Sequence, residues 1–372
     1  MLVDRIARGD FLQVLESVTP GLSPKGIVEQ SGSFVFQNGR VITYNEDIAC
    51  RAKSGLPKEF TGAVKSKAMI DLLRALKDDV IGIDVADSQM VVTGKGRRAK
   101  LRMDSQITIP IQNLEKPETW KQLPEEFNDA VNVVQGCAGK DVSKFATTCI
   151  HLHPKWMEAC DNYHLARYKI ATGVKESIMV LRDALKHVAG LDMTHFSETP
   201  KWIHFKNPAG VILSTQRHVE QYPNLKSYLD VEGTPATLPK GLSSAVSLAK
   251  IFSGENADAN LVVIQLTENR LVVTGIGSSG EYSEVKKLIY SGPDLEFTVP
   301  PEIISEISSK YSECIINPKR LMVSGGRWTY VTTLGDSAAV KAAKSPSTTK
   351  SSKVKEEEVD NTAEEAGYGE EG

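Results

Sequence analysis

The residues best placed to do chemistry are three histidines and the carboxylates among them. His151 and His153 alternate along one apolar run, so both would share a strand face, and Glu158, Asp161 and His164 follow closely. Two imidazoles and a carboxylate on one side could hold zinc. Paired histidines on a strand more often meet solvent or a neighbouring side chain, and no metal is expected here. The densest basic cluster is Gly94-Lys95-Gly96-Arg97-Arg98. Neither a Walker-type glycine loop nor a dinucleotide pattern surrounds it, so a hairpin turn with solvated charges is the better account. No serine-nucleophile motif or paired carboxylate arrangement stands out, and no cofactor is implied. Cys50, Cys137, Cys149, Cys160 and Cys314 are odd in number and scattered, with no Cys-x-x-Cys. They read as free buried thiols rather than as a disulfide framework or a zinc site.

The chain that must position these groups has 372 residues, enough for two or three domains with sizeable cores. Its apolar share of 41% and charged share of 24% suit a soluble protein. No window resembles a membrane span, and the first residues lack a signal peptide's apolar core, so a cytoplasmic protein is expected. The net charge of -3 gives no whole-chain signal for nucleic acid and does not exclude a local basic surface. From Lys341 onward five lysines face eight acidic residues with almost no apolar side chains, so residues 339–372 are expected to be a disordered acidic tail.

One structural unit is clearest between Leu238 and Leu334. A helical pattern (Leu242, Val246, Leu248, Ala249, Phe252) precedes strands at Leu261–Leu266 and Leu271–Ile276 around an Asn269 turn, then a strand at Glu284–Tyr290. Leu295–Val299 is a strand that stops at Pro300-Pro301, where the second proline suits the first turn of a helix burying Ile303, Ile304 and Ile307. Strands follow at Glu313–Ile316, Arg320–Ser324 and Trp328–Leu334. The same order recurs twice upstream. In the first copy Asp10 would cap a helix, Asn38-Gly39 marks a hairpin, and Ser66 would cap a second helix with Met69, Ile70, Leu73 and Leu76 apolar. In the second, Pro124–Val134 and Ser177–Val188 read as the helices, and Cys149–His153 and Trp156–Cys160 as strands around Pro154-Lys155. The expected layout is α+β, with domains at 1–109, 123–229 and 230–338 and a connector at 110–122. Each domain would hold two helix-plus-antiparallel-sheet motifs, because a striped helix and a short sheet must cover one another. Three unrelated α+β domains are the alternative.

With this order laid out, the chain from Met1 to about Leu334 resembles the sliding clamp of bacterial replicative DNA polymerase, the beta-type processivity factor. Asp161-Asn162-Tyr163-His164-Leu165 resembles that family's Asp-Gly-His/Tyr-Arg-Leu turn, and Tyr222-Pro223-Asn224-Leu225 its Phe-Pro-Asp-Tyr run. Phe297-Thr298-Val299 before the helix at Pro301 resembles the matching segment of its third domain. The resemblance implies a head-to-tail homodimer, a closed ring that encircles duplex DNA without reading its sequence and tethers DNA polymerase, placed there by a clamp loader. The last strand runs into Gly335-Asp336 rather than the usual Met-Pro-x-Arg-Leu ending, and Asp230 falls near a common proline. These departures imply a divergent member, with a bacterial virus as one source.

A clamp needs closure, a positive inner wall and a docking site, and no reaction centre. The family lines its channel with helices. That implies DNA contacts at Lys25, Lys65, Lys67, Arg74 and Lys77, at Lys140, Lys144, Lys175, Arg182 and Lys186, and at Lys240, Lys250 and Lys310. Each is otherwise a solvated surface charge. The resemblance also implies a partner-peptide groove at Thr148, Asn162, Tyr163, His164, Leu165, Leu229, Val331 and Leu334. Leu165 and Leu229 are equally readable as core. Two rival readings stay open. One is a clamp-fold protein that acts in protein assembly and has lost its inner positive potential. The other is an α+β metal enzyme built on His151 and His153.

Overall fold

The structure, a computed structural model, describes residues 2–23, 28–254 and 260–337. Among these, one pattern occurs six times: a strand, a helix, then three antiparallel strands. The first third holds β1 (Leu2–Ala7), α1 (Arg8–Ser17), β2 (Ser33–Gln37), β3 (Arg40–Tyr44) and β4 (Ile48–Lys53), then β5 (Gly62–Lys65), α2 (Ser66–Ala75), β6 (Val80–Ala86), β7 (Gln89–Gly94) and β8 (Arg97–Asp104). The middle holds β9 (Lys121–Gln122), α3 (Phe127–Val134), a short α4 (Phe145–Thr148), β10 (Cys149–His153), β11 (Trp156–Cys160) and β12 (His164–Lys169). It continues with β13 (Ile178–Leu181), α5 (Arg182–Gly190), β14 (His195–Glu198), β15 (Trp202–Lys206) and β16 (Ile212–Gln216). The last third opens with a short α6 (Lys226–Leu229) and then has β17 (Thr234–Thr237), α7 (Leu242–Ser253), β18 (Val262–Thr267), β19 (Arg270–Gly277), β20 (Gly280–Lys287) and β21 (Ile289–Tyr290). Its second half is β22 (Leu295–Val299), α8 (Pro301–Lys310), β23 (Glu313–Ile316), β24 (Arg320–Gly325) and β25 (Trp328–Thr333).

Local rules account for much of this. Asn38 and Gly39 both take positive φ (53° and 71°), as the tight turn between β2 and β3 requires. In α2 the stripe Met69 and Leu73 is buried against the sheet while Lys67, Asp71 and Arg74 stay exposed. The long helices pack in pairs, α1 on α2, α3 on α5 and α7 on α8. Helix α7 lies so close to β19 that a Cβ on Gly275 would sit 1.9 Å from the Ala249 carbonyl oxygen.

Four expectations need correction. Asp10 does not cap α1: the helix begins at Arg8 after Ala7, and no side chain caps it. Ser66 is itself the first helical residue of α2, and its hydroxyl donates to the Gly32 carbonyl at 2.8 Å instead. The stretch Ser177–Val188 is split. Ile178–Leu181 is strand β13, paired with β10 from Leu152↔Ile178 to Cys149↔Leu181, and α5 starts only at Arg182. A continuous apolar run fits a strand buried on both faces as well as it fits a helix turn. Last, the strand expected over Glu284–Tyr290 breaks at Leu288 into β20 and β21.

The described strands form sheets of twelve, nine and four. Two of these cross from one third of the chain to the next. Strand β4 pairs with β16 (Cys50↔Leu213), fusing the first and middle thirds, and β12 pairs with β25 (Leu165↔Val331), fusing the middle and last. One large apolar cluster fills the space between sheets and helices, with two smaller clusters beside it. No described helix is long and apolar enough to cross a membrane.

Candidate functional site

The seam between β12 and β25 carries a groove. Its floor is a separate apolar cluster, in which Cys149, Cys160, Leu165, Met179 and Val331 meet Tyr222, Leu225 and Val231 from the segment leading into and past α6. The Tyr222 hydroxyl accepts the Cys160 backbone N–H at 3.0 Å, pinning that segment to β11. One wall is the 161–164 turn. Asp161 Oδ1 accepts from the backbone N–H of Tyr163 (2.7 Å) and of His164 (2.8 Å), and from the His164 ring at 2.7 Å. Burial pushes the Asp161 carboxyl up, but the hydrogen bond and charge of His164 outweigh it and hold the group below its usual range. The Tyr163 carbonyl accepts from Thr333 N at 2.7 Å, which locks the turn to the end of β25. The other wall is Tyr228, with the Arg320 guanidinium 4.9 Å from its ring centre and Arg320 Nη1 donating to the Ser227 carbonyl at 3.0 Å. A cleft of about 270 Å³ opens between them, apolar below and polar at the rim. Such a shape takes one or two apolar anchors of a short peptide.

Of the residues expected in this groove, Asn162, Tyr163, His164, Leu165 and Val331 line it, and Leu229 packs against its floor. Thr148 does not line it; its neighbour Thr147 does, while the Thr148 hydroxyl donates to the Phe145 carbonyl. Leu334 lies past the end of β25, on the opposite face from Thr333, and packs on the main core. Pro223, Leu225, Tyr228 and Arg320 also line the cleft. The Tyr222–Leu225 run pointed at the first two. Nothing local marks Arg320, which arrives from the next third of the chain.

The basic residues expected to face DNA divide into two groups. Five are held in ion pairs: Lys67 with Asp71 (2.7 Å), Arg74 with Glu16 (2.7 Å), Arg182 with Asp183 (2.8 Å), Lys250 with Glu302 (2.7 Å) and Lys310 with Glu306 (2.7 Å). Lys144 donates to Asn162 at 3.1 Å. Lys65, Lys77, Lys140, Lys175, Lys186 and Lys240 are exposed and form no ion pair among the described residues. Lys25 lies outside the described residues, as does the acidic tail at 339–372. Across the six described helices of eight or more residues, seven basic side chains meet seven acidic ones, so these helices carry no net charge. The unpaired charge sits mostly in the loops and at the helix ends.

The remaining sequence motifs are absorbed by structure. In the turn at Gly94–Arg98 the Asp78 carboxylate accepts the Lys95 backbone N–H at 2.8 Å and pairs with Arg97 at 3.2 Å. His151 Nδ1 lies 2.8 Å from the buried Glu158, whose second oxygen accepts from Arg167 Nε at 2.7 Å. His153 stacks on Trp156, with ring centres 3.4 Å apart. Among the described residues no group of histidine, cysteine or carboxylate side chains has the arrangement of a metal site. All five cysteines are buried and unbridged, and burial pushes the Cys50 and Cys314 thiols up to about 12, far from a reactive thiolate.

No protein-family model and no curated protein sequence matches the chain. Solved structures do. The sliding clamp (DNA polymerase III subunit beta) of Bartonella birtlesii superimposes with a TM-score of 0.79 at 14% identity, covering 90% of this chain and 99% of that one. The beta subunit of Thermotoga maritima gives 0.78 at 13% identity, over 90% and 100%. A beta subunit from Eubacterium rectale gives 0.75 at 11%, again over 90% and 100%. Sequence identity this low carries the architecture and nothing finer: the chain has the α+β fold of the bacterial DNA polymerase sliding clamp, from end to end of those proteins.

Proposed function

We infer that the chain is a DNA sliding clamp: two copies close head to tail around duplex DNA, and the groove at β12–β25 tethers a DNA polymerase. The observation that carries this reading is the likeness to sliding clamps over their whole length, 99–100% of each chain. Residues 1–109, 123–229 and 230–338 then act as the three domains of a protomer, and the clamp carries out no chemistry of its own. Two sheet edges support closure. Among the described residues, β8 pairs only with β7 over residues 97–102, and β20 pairs only with β19. These edges lie in the first and last thirds, as a head-to-tail contact requires. Strand β8 exposes Arg98, Lys100 and Arg102, whereas β20 carries Glu281 and Glu284 together with Lys286 and Lys287, Glu284 being paired with Lys286 at 2.6 Å. Leu248 and Ile251 on α7 and Val285 on β20 add exposed apolar surface beside the second edge. Identity of 11–14% to bacterial clamps suits a divergent replication protein, and a bacteriophage working in the host cytoplasm is a fitting source.

The lack of net charge on the described helices favours a second reading, a clamp-fold protein that assembles partners without encircling DNA. Electron microscopy of purified protein at micromolar concentration separates the two at the first step. Rings of two copies with a hole wide enough for a duplex are expected, and monomers or open chains would refute the clamp.

A further inference from the structure

The groove is one end of a longer apolar row. Cys160, Leu165, Val331, Met322, Ile315 and Pro235 are successive cross-strand partners on β11, β12, β25, β24, β23 and β17. Five steps of about 4.8 Å make a row about 24 Å long that runs across the strands on one face of the sheet. Over its first half the chain supplies its own cover, because Tyr222, Leu225 and Val231 pack on Cys160, Leu165 and Val331. Among the described residues the cover thins beyond Val331, where Met322 and Ile315 pack on the edge of that cluster. Met322 and Ile315 are half-buried and Pro235 is exposed. Beside them a cleft of about 490 Å³ opens, bounded by Ile289, which is 71% exposed next to Thr237 on β17. Side-chain alternation places Arg320 and Glu313 on the same face, on opposite sides of the row. The uncovered half is therefore apolar along its axis and oppositely charged at its margins.

We propose that this row is a docking track for an extended segment of a protein partner, which seats one apolar anchor in the groove and a second in the cleft at Ile289. The track is continuous with the groove, and it rests on the reading of that groove as the polymerase-docking site. The partner carries a basic side chain toward Glu313 and an acidic one toward Arg320. Groove and cleft lie about three strand steps apart, about 14 Å, which about four residues of extended chain span. An internal segment that includes the short helix α6 already covers the first half of the row, with Tyr222, Leu225 and Val231 as its anchors.

The probes are synthetic peptides bearing two leucine pairs separated by one or by four polar residues, titrated into the full-length protein by fluorescence anisotropy. When both anchors bind at once the second is held at high effective concentration. The four-residue spacer should therefore bind at least tenfold tighter than the one-residue spacer. Ile289→Glu, a change at an exposed position, should bring the longer peptide down to the level of the shorter. If Tyr228→Ala weakens both peptides equally and neither spacer nor Ile289→Glu matters, the track is overturned while the groove stands. If neither peptide binds, groove and track both fall. If Ile289→Glu instead dissociates the dimer in sedimentation, the cleft belongs to a second copy of the chain and the proposal is wrong.

Discussion

Lowering the pH should loosen the seam between the first and middle thirds through one side chain, His204. It lies on β15, 1% exposed, beside the β16 strand that pairs with β4. The Thr199 hydroxyl donates to the Trp202 carbonyl (3.1 Å), so its oxygen accepts from His204 Nε2 (3.1 Å), and Nδ1 accepts from the Ser214 hydroxyl (2.7 Å). In this pattern the neutral ring satisfies both nitrogens without burying a charge. Burial, followed by the Arg51 guanidinium, pushes the imidazole down to about 4, with Glu115 opposing. In the unfolded chain it titrates near its ordinary value of about 6.5. Between those values the unfolded chain holds a proton that the folded chain does not, so stability rises with pH and is lost as acid is added. From pH 7 to 4.5 the loss from this group is about 2.5 kcal/mol, at about 1.4 kcal/mol per decade of binding. The assay is urea unfolding at several pH values for the wild type and for His204→Gln, which keeps one donor and one acceptor. Acid-sensitive carboxylates elsewhere are common to both proteins and cancel. The wild type should lose about 2.5 kcal/mol more than the variant across that range; parallel curves would refute the assignment.

Three other perturbations have defined outcomes. Glu158 is 2% exposed and bridges His151 and Arg167, so Glu158→Gln leaves a cation without its counter-charge and should destabilise by about 3 kcal/mol in urea unfolding. Gly275→Ala drives a methyl group into the Ala249 carbonyl and should cost about 2–3 kcal/mol, read as a lowered thermal midpoint, as α7 is forced off β19. Arg98, Lys100 and Arg102 are all exposed on β8, so changing the three to glutamate should leave the circular dichroism of the fold intact. It should weaken the dimer at least a hundredfold in sedimentation, and an unchanged association constant would remove β8 from the interface.

The repeat was readable because it rests on local chemistry. Asn38-Gly39 needs no partner to form its turn, and the stripes of α2 and α8 show which side must be buried. What stayed hidden depends on neighbours far along the chain. The leading strands β1 and β9 are short or charged and become strands only through pairing with β6 and β14. Ile178–Leu181 has an apolar pattern that satisfies either period, and β10 decides between them. In the groove, the 161–165 turn was visible as a motif, whereas Arg320 over Tyr228 joins residues 92 positions apart. The lysines show the same division. Lys67–Asp71 and Lys310–Glu306 follow from helical spacing, but Arg74–Glu16 exists only because α1 and α2 pack side by side.

Topological retention tests the central claim most directly. The protein is loaded onto a nicked circular plasmid with a clamp loader and ATP, isolated by gel filtration in high salt, and the plasmid is then cut once. High salt screens phosphate attraction, so a closed ring should survive it on the circle and slide off the linear product. Equal retention on circular and cut DNA, or none on either, would contradict encirclement.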